Sequence, residues 1–439
     1  MMKKQLTTLI LLVFLFGCAK EKNNLEITNK ILKDSNFVDL STAKSIAIQE
    51  SFNTSKAKIM ASKNTKASAK AKIIKQAFTI DPNKSEPSFY ILNYDDGGFA
   101  IVSADKRAIP ILAYADKGNF EVSEKINYPP GLVAWLQQTN DGITEIRKKN
   151  LKPTETIKKS WKNLLEKAPI VSNQKKLSLN GRRNELSSVD LWNFPCDRFE
   201  EGNQLSMIVA QVGPLLQTQW GQGTGYNDLC PHMGCSNYSN GRAPTGCYAT
   251  AIAQILRYHA KPSMFNFNWT GMSNNYGNAD VQYLMSLVGQ ACSMDYGCDG
   301  SGATDGEAIM GLQTFGYGQS TAANYNYSKV KFDLNLGRPV ILTGGKQGKW
   351  WIFNSYEEGH AWVCDGYKDT YMFECMLTND PRPEPGASPW MYIFQVGYGH
   401  LSMNWGWNGS YNGWYAFDNW NPAPGYTFNY KKGMITDIY

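Results

Sequence analysis

The clearest pattern in the chain lies at residues 89–103, where the apolar run FYILNY is followed by Asp95, Asp96, Gly97 and Gly98 and then by FAIVS. Two β-prone runs around an Asp/Gly turn predict a hairpin. Downstream, Pro129 and Pro130 precede Val133, Leu136, Asn140, Ile143 and Arg147, whose three- and four-residue spacing predicts a helix. Upstream, Ser41 is a candidate N-cap for a short helix that turns Ile46, Ala47 and Phe52 toward a core. Residues 55–75 are rich in Lys, Ala and Ser, and their pattern leaves an exposed helix and a loose linker both open. Residues 20–170 thus read as a small α+β domain. Beyond residue 190 the chain is rich in Gly, Tyr, Trp and Asn, with short strand-like runs such as AWVCDGY and YIFQVGY. One clear helix stands out there, Cys247 to His259, with Ala251, Ile252, Ile255 and Leu256 on its apolar face.

Two further segments change the picture. Lys3 and Lys4 precede an apolar run from Leu6 to Phe16, long enough for a signal sequence and too short to span a bilayer. It ends in Leu15-Phe16-Gly17-Cys18, which resembles a bacterial lipobox, so Cys18 is expected to be lipidated. A plain secretory signal is the alternative. No other segment could span a bilayer. The second is the polar, basic run SNQKKLSLNGRRNELSS at 172–188, the best domain boundary and an exposed place for a protease to cut.

Charge follows the same division. The 439 residues carry a net charge of +6, but residues 1–189 hold 31 of the 44 Lys and Arg and 18 of the 38 acids, a balance of +13 against −7 for the remainder. Eleven of the 13 Trp lie in the acidic part. A basic half can signal nucleic-acid binding; a basic segment ahead of an acidic one can equally cover its neighbour.

Eight cysteines remain besides Cys18. Outside the cytoplasm disulfides are the default, and the close pairs Cys230/Cys235, Cys292/Cys298 and Cys364/Cys375 suggest themselves, with Cys196 able to pair with Cys247. The setting of Cys247 argues for another use. A thiol in the first turn of a helix sits at the positive end of the macrodipole, which favours thiolate. Gly246 beside it allows close approach of a substrate backbone; the bland alternative is a small buried hydrophobe. A thiolate nucleophile needs an imidazole. His259, twelve residues along the same helix, is about 18 Å away. His232 lies in a Cys-x-His-x-x-Cys cluster without a fourth metal ligand, and His400 reads as a core residue of a strand. His360, at the start of AWVCDGY beside Gly359, is the serious candidate. Asp295, Asp299 and Gly300 match a calcium loop only in part, and the Trp and Tyr read as core and cleft lining rather than a sugar-binding face.

These residues resemble a family. GRAPTGCYATAIAQILRYHAKP, GHAWVCDGY and NWGWNG are similar, in that order, to the streptopain family of papain-like cysteine peptidases. The resemblance extends to PLLQTQWGQGTGYN, to the stretch around 294–303, and to SFYILNYDDGGFAIVSADKRAIPILAYA, which is similar to the family's inhibitory propeptide. It implies an α+β fold: a papain-like two-subdomain catalytic domain, with the Cys-bearing helix against an antiparallel β subdomain, preceded by a small α+β prodomain. The expected division is 1–17 signal peptide, 18–35 tether, 36–171 inhibitory prodomain, 172–189 activation linker and 190–439 peptidase domain.

Position by position, the resemblance implies Cys247 as nucleophile, His360 as general base and acid, and Gln222 in the oxyanion hole with the Cys247 N–H. Trp405 matches the Trp beside the catalytic His, Gly359 and Ser301 fall in segments that resemble substrate-contacting positions, and Gly246, from its place beside Cys247, is the further substrate-binding candidate. Asn404 is adjacent to Trp405, whereas papain spaces its Asn two residues before the Trp. Neighbours on a strand face opposite ways, so a Cys-His dyad supported by Trp405 is favoured and Asn404 is the weaker orienting candidate. The implied substrates are proteins or peptides, with a hydrophobic residue two positions before the scissile bond. The prodomain is expected to inhibit in cis, the lipid to hold the chain at the bacterial envelope (the outer membrane, if Gram-negative) unless processing releases it, and neither a cofactor nor nucleic acid is implied. A non-catalytic surface binding protein on the same scaffold is the rival reading, and a transamidase using the same Cys and His is a third.

Overall fold

The computed structural model describes residues 34–61, 72–84, 86–166, 204–262, 267–345, 349–354, 359–377, 390–417 and 432–439. The signal-like segment with Cys18, the basic run at 172–188 and Cys196 lie outside these residues. The N-terminal part holds α1 (Leu40–Ala61), β1 (Ile74–Ile80), β2 (Phe89–Tyr94), β3 (Phe99–Ser103), β4 (Ile111–Ala115), α2 (Pro130–Lys148) and α3 (Glu155–Glu166). After it come β5 (Gln204–Val212), α4 (Cys247–His259), α5 (Ala279–Ala291), α6 (Asp305–Thr314), β6 (Thr321–Asn324) and α7 (Tyr327–Asn335). The chain closes with β7 (Val340–Gly344), β8 (Lys349–Trp350), β9 (Phe353–Asn354), β10 (His360–Leu377), β11 (Trp390–Asn404), β12 (Gly413–Ala416) and β13 (Lys432–Thr436).

β2 and β3 form the predicted hairpin, with Leu92 opposite Ala100. Its turn requires glycine: Gly98 has φ +92°, and a Cβ there would lie 2.4 Å from the Ala115 carbonyl oxygen. β2, β3 and β4 are buried throughout. Both faces are covered, which is why they read as continuous apolar runs rather than alternating ones. α1 covers one face, where Tyr90 Oη donates to the Val38 carbonyl and Tyr94 Oη to that of Ala47. α1 starts at Leu40 and is capped by Asp39, whose Oδ1 accepts from the Thr42 N–H at 2.8 Å, rather than by Ser41. It continues to Ala61, so the first part of the ambiguous 55–75 stretch is helical.

The sheet runs in the order β1-β2-β3-β4-β12-β11-β10-β7-β13-β6, and β5 also pairs with β10. β4 pairs antiparallel with β12, Ala113 opposite Tyr415 and Tyr114 opposite Trp414. The N-terminal part therefore extends the sheet of the C-terminal part, and residues 36–439 make one compact unit. Aromatic packing seals the junction. The Trp135 ring of α2 lies 5.1 Å from that of Tyr415 and its Nε1 donates to the Ala416 carbonyl at 3.1 Å, while Phe120 sits 4.9 Å from Tyr411.

A second core joins α4, α5 and α6 through Ile252, Ile255, Leu284, Val288 and Leu312. The architecture is α+β and papain-like, a helical subdomain carrying Cys247 against an antiparallel sheet subdomain. α4 spans Cys247–His259 as predicted, closed by Ala260 at φ +51°. α5, α6 and α7 were not legible as periodic segments. α6 buries only Ala308, Gly311 and Leu312 and is defined instead by its Thr304–Glu307 capping box. Among the described residues no helix is long and apolar enough to cross a membrane.

The expected local disulfides do not form. Cys235 is bonded to Cys298, and Cys230, Cys247, Cys292 and Cys364 remain thiols. Cys364 and Cys375 lie on one strand, β10; eleven residues of extended chain separate them by roughly 36 Å. Cys292 ends α5 with its Sγ against Gly311 of α6, while Cys298 is taken by Cys235.

Candidate active site

One cleft lies between the two subdomains, and residues from several separate segments converge on it. The loop before α4 contributes Gln222, Tyr238 and Pro244, α4 contributes Cys247, and the loop after α5 contributes Gly300 and Ser301. The sheet side supplies Gly359, His360, Trp407 and Asn408, and the N-terminal part closes the rim with Asn127 and Pro130.

Cys247 is the first residue of α4, 8% exposed, and follows Gly246 at φ +91°. That conformation lets the loop enter the helix without a Cβ, which would lie 2.6 Å from the Met294 sulfur and 2.9 Å from the Ser301 carbonyl oxygen. Gly246 therefore sits beneath the nucleophile candidate, and Ser301 donates from Oγ to the Pro244 carbonyl at 2.7 Å. Gln222 is tied to the same turn, its carbonyl accepting from the Thr245 N–H at 2.9 Å. Its Nε2 is buried and finds no hydrogen-bond partner among the described residues. A buried amide donor left unsatisfied is costly, unless an acceptor arrives with the ligand.

His360 opens β10, opposite Gly344 on β7, and is 3% exposed. Its Nε2 lies 2.9 Å from the Trp405 carbonyl oxygen. A carbonyl only accepts, so Nε2 carries the proton and Nδ1 is left to accept one. Burial pulls the imidazole down to about 4, with the Trp405 hydrogen bond working in the opposite direction.

The rings around His360 differ from the sequence expectation. Trp362 stacks at 5.9 Å and Trp407 meets it edge-on at 5.3 Å. The Trp405 ring lies behind, 4.8 Å from Trp362 and 5.3 Å from Tyr415, so Trp405 reaches His360 through its main chain. Trp407, two residues on in the same NWGWNG motif, is the side chain that sequence reasoning missed. Asn404 does not serve His360 either. It is the last residue of β11, and its Nδ2 donates to the Thr218 carbonyl at 2.8 Å and to Gln254 Oε1 at 3.1 Å, fastening the strand end to α4. Tyr238 and Asn408 had no distinguishing signal in the sequence. Of the other histidines, His259 ends α4 and His400 is buried on β11, away from the cleft. Cys235 is consumed by its disulfide, and among the described residues no three His, Cys, Asp or Glu side chains converge as metal ligands.

The N-terminal part bears directly on this site. Tyr128 donates its N–H to the Asn354 carbonyl at 2.7 Å, and Gly131 of α2 lies against the Trp362 and Trp405 rings so closely that a Cβ would sit 2.7 Å from Trp362.

Comparison with known proteins agrees. Residues 35–143 match the Spi protease inhibitor family, and residues 220–275 and 261–415 match the Peptidase C10 family. Streptopain of Streptococcus pyogenes is 24% identical over 385 residues, covering 77% of this chain and 76% of streptopain. The thiol protease/hemagglutinin PrtT of Porphyromonas gingivalis is 22% identical over 402 residues, 81% of this chain and 36% of PrtT. Among solved structures, a prointerpain A fragment of Prevotella intermedia shares the fold with a TM-score of 0.50 and 24% identity, covering 83% of this chain and 98% of that one. The chain belongs to the Peptidase C10, or streptopain, family of papain-like cysteine peptidases, and is a cysteine endopeptidase zymogen whose Spi-type prodomain inhibits it in cis.

Proposed function

We propose that Cys247 is the nucleophile, His360 its general base and acid, and Gln222 with the Cys247 N–H the oxyanion hole. The observation that carries this reading is the convergence on one cleft of a helix-N-terminal thiol, an imidazole with Nε2 already committed to a carbonyl, and a buried amide donor with no partner among the described residues. His360 Nδ1 takes the Cys247 proton, and the thiolate sulfur attacks the peptide carbonyl carbon. The carbonyl oxygen gains the electron pair and is held by the two donors. Collapse expels the amine, which takes the proton from His360 and leaves an acyl-enzyme. Water then attacks, giving its proton to His360, and the carboxylic acid leaves as the thiolate re-forms.

The prodomain favours latency by two routes. Asn127 and Pro130 occupy the rim, and their presence helps exclude water from an imidazole that burial keeps neutral. Neutral imidazole cannot stabilise a thiolate, so removal of the prodomain should restore the ion pair. Cleavage within 172–189 would release residues 36–171 from the peptidase domain beginning near 190. Lipidation at Cys18 would tether the precursor to the bacterial envelope. Gly359 and Ser301 line the groove where a substrate backbone would lie, and Gly246 adjoins it between Cys247 and the Ser301 carbonyl.

A thiol-directed epoxide tests the assignment. Processed wild type should be labelled at Cys247 and lose activity, and Cys247→Ala should be neither labelled nor active; equal labelling of both would sink it. Radiolabelled palmitate incorporated into wild type but not Cys18→Ala tests the anchor.

A further inference from the structure

The Cys235–Cys298 disulfide joins segments 63 residues apart, and both segments end in the cleft. Tyr238 and Pro244 lie three and nine residues beyond Cys235; Gly300 and Ser301 lie two and three beyond Cys298. Neither loop has helix or strand to hold it. Each is fastened internally by an isolated bridge, His232 with Arg242 and Asp295 with Gly302. Between them run the hydrogen bonds of Ser301 Oγ to the Pro244 carbonyl at 2.7 Å, of the exposed Asn237 Nδ2 to Asp299 Oδ1 at 3.4 Å, and between the Cys230 and Tyr296 side chains. Hydrogen bonds of this kind contribute only about 1 kcal/mol each, so the covalent link dominates the attachment.

We propose that this disulfide is a positioning device for substrate binding: it fixes the Tyr238–Pro244 loop against the Gly300–Ser301 loop and so sets the shape of one cleft wall. Cys247 and His360 are held separately, by α4 and by β10. Opening the link therefore loosens substrate binding and leaves the reacting pair in place. The enzyme then has opposed redox requirements, a reduced Cys247 and an oxidised Cys235–Cys298. A dithiol would reduce the link by successive thiol–disulfide exchange, becoming a cyclic disulfide as Cys235 and Cys298 become thiols. The nearby thiols do not replace it. Burial pushes Cys230 up to about 11 and Cys292 up to about 12, so both stay protonated and poorly nucleophilic.

The inference rests on the cleft assignment above, and the experiment separates the two. The full chain, processed to its active form, is compared as wild type and as the Cys235→Ser/Cys298→Ser double variant, activated with a low concentration of monothiol. Epoxide titration counts reactive Cys247, and steady-state kinetics on a peptide substrate gives KM and kcat. The expected result is full titration of both proteins, kcat within about twofold, and KM raised on the order of tenfold in the variant. A strong dithiol should raise the wild-type KM to the variant's value while leaving the variant unchanged, a readout that needs no mutant to fold. Unchanged KM in both experiments overturns the proposal, as does a fall in kcat alone. Loss of tryptophan emission structure on reduction also overturns it, since the bond would then be a global staple. Failure of wild-type Cys247 to titrate refutes the catalytic assignment instead.

Discussion

His400 offers a pH test of how the prodomain is seated. It lies on β11 opposite Lys368 of β10, 2% exposed, with Nε2 3.4 Å from the Ile111 carbonyl of β4 and its ring 5.4 Å from Tyr114. Lys368 donates to Tyr114 Oη at 2.7 Å, placing a second positive group beside it. Burial first, and Lys368 next, push the imidazole down to about 3. An imidazole in water titrates near 6.5, so between pH 6.5 and 3 the unfolded chain binds the proton that the folded one refuses. Stability therefore rises with pH across that window. The contribution of His400 is complete above pH 6.5 and lost as the pH falls. At pH 5 the loss is about 2 kcal/mol, at about 1.4 kcal/mol per unit. Urea unfolding of the full chain at pH 7.5 and 5.0, in a Cys247→Ala background to prevent self-cleavage, measures it. His400→Gln keeps a donor for Ile111 and removes the titration. His360 and Asp365 also titrate abnormally, but equally in both proteins, and cancel in the difference. The background protein should lose about 2 kcal/mol more than its His400→Gln counterpart. Equal losses would refute the reasoning.

Three more substitutions probe other joints. Asp105→Ala removes the carboxylate that accepts from Arg107 at 2.7 and 2.8 Å and from Arg147 at 3.0 Å; it should destabilise the prodomain by about 3 kcal/mol, since Arg107 is left charged and buried, and protease activity should appear sooner during maturation. Gly246→Ala places a Cβ at φ +91° against Met294, at a cost of about 1–3 kcal/mol, and should lower kcat because it displaces Cys247; melting temperature and steady-state rates report the two effects. Gln222→Ala should reduce kcat by about 10² to 10³, with unchanged circular dichroism and undiminished epoxide titration.

The elements readable from sequence are those whose information is local. The β2–β3 hairpin was legible because its turn chemistry sits between two apolar runs, and α4 because its apolar face and its Ala260–Pro262 ending are both short-range signals. α6 and α7 are ten and nine residues long and half exposed, so little periodicity accumulates. Side-chain aim at the site was less legible than residue identity. Trp405 and Trp407 both lie in NWGWNG, and which ring meets His360 depends on the loop leaving β11. The charge division of the sequence did mark two parts. What joins them in the structure, however, includes strand pairing and aromatic packing around Trp135, Phe120 and Tyr411.

The order of motifs along the chain determined the family, the thiol at the head of a helix, and a basic leader ahead of an acidic, Trp-rich body, because each is written in contiguous residues. Tertiary structure alone decided that β4 completes the sheet at β12, that Cys235 bonds Cys298 rather than a nearer thiol, and that Asn404 fastens α4 instead of orienting His360. Those outcomes join residues from 63 to about 300 positions apart. Their partners are selected by the packing of the finished subdomains, and no local pattern encodes that choice.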